Sequence, residues 1–258
     1  MGIEGAGAGR KSRNEEMKGF RDIHSHFVYG VDDGAKTEED MKAMLDAAHA
    51  DGIVSLFATP HVTPGLQPFD SALFERRLQA ARAYCRSQGY AMTLYGGAEI
   101  LYTPALAQYT LSHRLPTLGE SDAVLVEFVP DIALSDMKEA LELLERRGYD
   151  VVLAHVERYA CLLRGSALSS IRQSFHVRCQ MNCHAVLGGH GLWREHRIQA
   201  WLKEGLIDHI ASDAHSASVR PFGMSRAFRA LCARTGRSAA AAMTGRTDAR
   251  TAEEPVRL

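Results

Sequence analysis

The sequence predicts an α/β fold, a parallel sheet curled into a barrel and covered by helices. Three observations carry this reading. Short apolar runs alternate with amphipathic stretches six or seven times along the chain. Runs such as IVSLFA (53–58) and AVLVEF (123–128) are too apolar for a sheet with one wet face, so helices must cover both sides. Polar clusters follow many different strands, as a barrel mouth requires, whereas an open sheet concentrates them at one switch point.

Each element has its local reason. The first strand runs through Ile23, and a helix from about Glu38 to Asp51 begins at an approximate capping box, Thr37 with Asp40. Met41, Met44, Leu45 and Ala48 keep helical spacing there, and Gly52 ends it. A strand over 53–58 follows, then a helix from Ser71 to Gln88 stopped by Gly89, a strand over 90–95 and a shorter helix over 103–112. Strands at 123–128 and 151–154 flank a helix over 134–147 with Gly148 as its stop. A strand over 177–183, a helix over 193–203, a strand over 207–211 and a helix over 224–234 complete the pattern. The Gly-rich, then charged, residues 1–18 read as a disordered leader, 19–236 as one barrel domain, and 237–258 as a poorly defined, frayed or partly helical tail.

Composition narrows the function. A formal net charge of -1 gives no electrostatic reason to expect nucleic acid or an anionic membrane as the main partner. No apolar run approaches the roughly 20 residues of a spanning helix, and the N-terminus lacks the apolar block of a secretory signal, so the expected location is the cytoplasm. Five cysteines, odd in number and unevenly spaced, read as reduced thiols; none heads a Cys-x5-Arg segment, which disfavours thiol chemistry. Twelve histidines are many for this length, and several fall where strands end.

His24-Ser25-His26 closes the first strand, and period-two alternation turns both imidazoles one way, with Ile23 and Ser25 on the other face, as a metal clamp requires. Thr59-Pro60-His61, Gly97-Ala98-Glu99, Ala154-His155 and Ser212-Asp213-Ala214-His215 each follow an apolar run directly. A polar residue at one strand end is commonplace, but five histidines and two carboxylates placed this way point to a shared site. Imidazole with carboxylate and no thiolate suits Mn²⁺, Fe or Zn²⁺ in a multinuclear centre. His184, His190, His196 and the Cys179/Cys183 pair read as local packing and surface solvation, and His49, His113, His176 and His209 as structural.

DIHSHFVYGVDDGAKTEEDM (22–41), ATPH (58–61), GGAEI (96–100), AHVERY (154–159) and SDAHSASVRPFGM (212–224) resemble, in order and spacing, the capsule-type phosphatases of the PHP (polymerase and histidinol phosphatase) superfamily. The resemblance runs from about Arg21 to Leu231, and the DDGA segment favours this branch over histidinol phosphatases and polymerase-associated domains. It implies a distorted (βα)7 TIM-like barrel with three divalent metals, Mn²⁺ foremost. His24, His26, Glu99 and Asp213 would surround one ion, and Glu99 would bridge to a second held by His155. Asp33, His61 and His215 would hold the third, although Asp32 stands beside Asp33 and either could point inward. Arg158 and Arg220 would clamp the phosphoryl group with their planar forks, and His61 or Asp213 would assist the leaving group.

The implied activity is hydrolysis of phosphotyrosine on the tail of a bacterial capsule or exopolysaccharide tyrosine kinase, by water that the cations activate. Rival readings are a small-molecule phosphoesterase of the histidinol phosphatase kind and an inactive metal-binding scaffold docked on the kinase. The sequence is silent on oligomeric state. AHVER replaces the family's AHPER, a change that could shift His155 and Arg158, and CQMNCH (179–184) replaces a more typical polar strand end.

Overall fold

The computed structural model describes residues 18–246, so the expected leader up to residue 17 and the tail from residue 247 lie outside the described residues. The strands are β1 (Phe20–Ser25), β2 (Ile53–Ala58), β3 (His61–Val62), β4 (Thr93–Gly96), β5 (Glu99–Leu101), β6 (Ala123–Glu127), β7 (Asp150–Leu153), β8 (Val177–Asn182) and β9 (His209–Ala211). Every pairing between them is parallel. Two strands are broken in the middle. Pro60 has no N–H to offer a ladder and separates β2 from β3, while Gly97-Ala98 separates β4 from β5 opposite it. The break is bridged where Glu99 N donates to Pro60 O at 3.0 Å.

With each broken strand counted once, the pairings run through seven positions, β1, β2/β3, β4/β5, β6, β7, β8 and β9, and return to their start. Closure is made by a parallel bridge between Ser25 and Ala214. Asp213 N donates to His24 O (2.9 Å) and His26 N to Ala214 O (2.8 Å) across the same seam. The mixed α/β architecture agrees with the sequence reading.

The helices are α1 (Glu38–Ala50), α2 (Ser71–Ser87), α3 (Ala105–Tyr109), α4 (Leu134–Arg146), α5 (Ala167–Ser174), α6 (Cys183–Leu187), α7 (Leu192–Lys203), α8 (Met224–Thr235) and α9 (Arg237–Met243). The capping box of Thr37 and Asp40 starts α1, whose Met41, Met44, Leu45 and Ala48 are buried as their spacing predicts. Two short helices, α5 and α6, escape sequence reading because so few turns show no period. The start of the tail, expected to be frayed or partly helical, forms α9 with Ala240 and Met243 buried, and Thr244 O accepts from Arg21 N at 3.0 Å, tying it to β1. An alanine run has high helix propensity, and here tertiary contact stabilises it.

A large apolar cluster lies between strands and helices. A smaller one gathers Ile23, Phe57, Leu125, Val152 and Ala211, side chains of five strands that meet inside the ring. Simple alternation therefore fails on β1. Its register with β2 slips between Asp22 and Ser25, and on that irregular stretch Ile23 joins the inner cluster although the adjacent His24 also turns its imidazole to the site.

The loop after β1 is held by a close approach. A Cβ on Gly34 would lie 2.1 Å from His26 O and 2.5 Å from His26 Cβ. Gly34→Ala is expected to cost about 1–3 kcal/mol, lowering the thermal midpoint by about 2–4 °C per kcal/mol for a chain of this size. A circular dichroism melt matching the wild type would show that the loop yields freely.

Candidate metal centre

The carboxyl ends of the strands, with the breaks that follow β2 and β4, bring together every site residue named from the sequence. His24 and His26 present their Nε2 atoms to one another at 3.2 Å. Glu99 Oε2 lies 3.1 Å from the first and 3.4 Å from the second, and Asp213 Oδ1 lies 3.6 Å from both. Around a second point, His61 Nδ1 is 3.1 Å from Glu99 Oε2 and 3.2 Å from Glu127 Oε1, and His155 Nε2 is 2.7 Å from Glu99 Oε1. A third gathers His26, Asp33, His61 and His215, with Asp33 Oδ1 3.3 Å from Nε2 of both His61 and His215. In each of the three sets His24/His26/Glu99/Asp213, His61/Glu99/Glu127 and His26/Asp33/His61/His215, one candidate ligand atom per residue lies within 4.8 Å of the others.

The neighbouring aspartates divide the work. Asp32 Oδ2 accepts from His26 Nδ1 (2.7 Å) and His61 N (3.1 Å), and its Oδ1 accepts from Gly34 N (2.9 Å), so it backs the cluster while Asp33 faces it. The same device recurs: His24 Nδ1 is directed at Gln180 Oε1 (3.2 Å) and His215 Nδ1 at Asp213 O (3.0 Å). Each such hydrogen bond leaves the Nε2 lone pair pointing inward, as a metal ligand requires.

The donor set fits divalent cations. Glu99 Oε2 and His215 Nε2 are buried with no hydrogen bond, and opposed imidazole lone pairs repel unless something positive lies between them. Nitrogen and oxygen ligands without thiolate are those of Mn²⁺, Fe or Zn²⁺.

The electrostatics agree. Burial opposes charge on His26, His61 and His155, yet hydrogen bonds to carboxylates outweigh it. Asp32 and Glu99 push His26 up to about 9, Glu127 and Glu99 push His61 to about 11, and the same pair pushes His155 to about 9. Burial also opposes charge on Glu99, but His24 and His155 outweigh it and hold the carboxyl well below its ordinary range. His215 moves the other way, to about 4, through burial and the positive charges of His26 and Arg220. This is a pit of negative charge that holds protons where cations would displace them.

Asp213 has a second edge. Its Oδ2 accepts from Arg158 Nη2 (2.5 Å), Arg220 Nη2 (2.7 Å) and Asn182 Nδ2 (2.8 Å), which places both arginines beside the cluster. Valine in AHVER does not keep His155 and Arg158 away. Asp213 and His155 are the two non-glycine residues with positive φ among the described residues, at 53° and 31°. Strain of about 1–3 kcal/mol each persists only where surroundings hold it.

Three contributors escaped the sequence reading. Glu127 stands two residues beyond Leu125 and four beyond Ala123, both inner-cluster residues, so alternation along AVLVE already aimed it at the mouth. Gln180 and Asn182 alternate likewise on β8, in the segment read as packing. Gln180 Oε1 also accepts from His155 N (2.7 Å), and Gln180 Nε2 donates to Asn182 Oδ1 (2.8 Å). One strand without an imidazole or carboxylate in the cluster thus reaches His24, His155 and Asp213. Cys179 and Cys183 are buried, the latter against Met224 Sδ at 3.3 Å, in keeping with their reading as packing.

The family model for capsular polysaccharide synthesis, CpsB/CapC, matches residues 20–250. The chain is 27% identical over 222 residues to a tyrosine-protein phosphatase CpsB of Streptococcus pneumoniae, covering 83% of this chain and 90% of the relative. It is 24% identical over 230 residues to a protein of the same name from Streptococcus agalactiae serotype V, covering 85% and 92%. Among solved structures it resembles a chain from work on YwqE from Bacillus subtilis and CpsB from Streptococcus pneumoniae, described as unique metal-dependent tyrosine phosphatases. That match has a TM-score of 0.77 and 24% identity over 87% of this chain and 91% of the other.

Removing Gln180 should loosen the centre. Gln180→Leu is expected to weaken Mn²⁺ binding roughly 10–100-fold in a calorimetric titration. Gln180→Glu, which keeps an acceptor for His24 and His155, is expected to lose less. Equal affinities in wild type and both variants would show that the amide does not support the ligands.

Proposed function

The chain belongs to the capsular polysaccharide synthesis family CpsB/CapC, and on that premise we propose that it is a metal-dependent phosphatase hydrolysing phosphotyrosine on the tail of a capsule or exopolysaccharide tyrosine kinase in the cytoplasm. One observation carries the reading: two arginines meet a single carboxylate oxygen at the rim of three adjoining ligand groups. That is the arrangement a phosphoryl group needs, with fork-shaped donors on one side and cations on the other. The names of the relatives, tyrosine-protein phosphatases from streptococci, favour the same substrate class.

His24, His26, Glu99 and Asp213 would hold one cation, Glu99, Glu127 and His155 a second, and Asp33, His61 and His215 a third, with Mn²⁺ the first choice of metal. Bound there, the cations supply an activated water and positive charge for the phosphoryl oxygens. The protein's own share is orientation. Arg158 and Arg220, held beside the cluster by Asp213, offer N–H donors to the equatorial oxygens while their other N–H groups stay on Asp213. A departing phenolate, ordinarily protonated near pH 10, asks for little help. What help there is comes from solvent rather than from His61, which the third cation would take up, or from Asp213, whose Oδ2 already accepts from three donors.

Thiols have no part in this scheme. Burial pushes the Cys85 thiol up to about 11 and the Cys179 thiol up to about 12, leaving poor nucleophiles at neutral pH. Among the described residues no helix is long and apolar enough to cross a membrane.

Purified protein stripped with a chelator is expected to lose turnover of a phosphotyrosine peptide, to regain it with Mn²⁺, and to tolerate thiol alkylation. Arg158→Ala and His61→Ala are each expected to lower kcat/KM about 100-fold or more. Activity that survives chelation but is lost on alkylation would overturn the proposal.

A further inference from the structure

A cavity of about 260 Å³ opens beside the arginine edge of the metal centre. It starts at Asp213, Arg158 and Arg220 and leads away from the cluster between the segment 219–226 and α6. At this size it lies just below the roughly 300–1,000 Å³ of clefts that enclose a drug-sized ligand, so it suits one side chain of a larger substrate. Its walls divide in two. Leu187, Val219, Pro221 and Phe222 supply apolar surface, and Val219 is 86% exposed.

The charged part of the lining is almost wholly basic. Arg158 and Arg220 are engaged by Asp213, the one acidic residue there. Beyond them stand His184, exposed on α6, and Arg226, exposed on the first turn of α8. Among the described residues Arg226 has no hydrogen bond or ion pair, whereas the carboxylate nearest its helix start, Asp51, is occupied by Met224 N (2.7 Å) and Ser225 N (3.3 Å). A guanidinium outside the pairs on Asp213 thus shares the lining of this partly apolar cavity with Arg158 and Arg220.

We propose that this cavity is the substrate-side groove, receiving the aromatic ring of phosphotyrosine against Phe222, Val219 and Leu187, and that Arg226 binds a carboxylate side chain flanking it. The inference rests on the phosphotyrosine reading above and deepens it to acidic-flanked phosphotyrosine peptides. Geometry sets the order of contacts. With the phosphoryl group on Arg158 and Arg220, the ring follows into the slot, and the peptide emerges beside an uncommitted cation. Arg226 is then a specificity residue with no part in bond breaking. Rim charges of this kind shift affinity and encounter rate more than turnover.

The test uses the full chain loaded with Mn²⁺ and two phosphotyrosine peptides, one flanked by glutamates and one by glutamines. The wild type is expected to prefer the acidic peptide in kcat/KM, chiefly through KM. Arg226→Ala is expected to cut that preference ratio about threefold, as for a partly exposed ion pair, and Arg226→Glu to reverse it. A wild type that treats the peptides alike, or an Arg226→Glu variant that keeps the preference, would overturn the inference while leaving the phosphatase reading intact. No metal-dependent turnover of either peptide by the wild type would overturn both.

Discussion

Glu99 is the constraint around which this protein is arranged. A carboxylate that is 1% exposed inside a closed parallel ring stays charged only if positive groups surround it. Four imidazoles lie within 3.4 Å of it, His155 on one oxygen and His24, His26 and His61 on the other. They come from the end of β1, the start of β3 and the turn after β7, so the charge balance of one residue depends on the closure of the whole sheet. The parallel architecture makes this possible, because every strand delivers its carboxyl end to the same rim.

The neighbouring charges depend on that arrangement in turn. Carboxylate and imidazole groups at under 4 Å cannot all be satisfied by one another, and the geometry leaves Glu99 Oε2 and His215 Nε2 without a hydrogen bond. A site of this kind is poorly balanced as a purely protein structure and well balanced with cations in it. The left-handed backbone at His155 and Asp213 belongs to the same balance: Asp213 N is anchored on His24 O and His155 N on Gln180 Oε1. Both strained residues thereby turn side chains inward that an extended strand would have sent past the mouth.

Around this centre the chain separates two kinds of positive charge. The histidines lie within the cluster, tied from behind by Asp32, Gln180 and a main-chain carbonyl. The arginines lie at its edge, tied to Asp213 but partly exposed. Asp213 reaches both sets, its Oδ1 facing His24 and His26 and its Oδ2 the two arginines.

Much of this was legible in the residues. Apolar runs ending in HSH, TPH, GAE, AH and SDAH mark strand ends, and strand ends of a parallel barrel share one mouth. Those motifs alone therefore assign His24, His26, His61, Glu99, His155, Asp213 and His215 to one site. The alternation Ala123, Leu125, Glu127 carried the same information but was masked by a wholly apolar appearance. The choice of Asp33 over Asp32, the reach of Gln180 and Asn182, and the folding back of α9 onto β1 were decided only in three dimensions. The reason is physical. A strand's period and its stop are local properties of a few neighbouring residues, whereas the partner of a given atom is set by register and closure, which join groups as distant as Asp22 and Ser212.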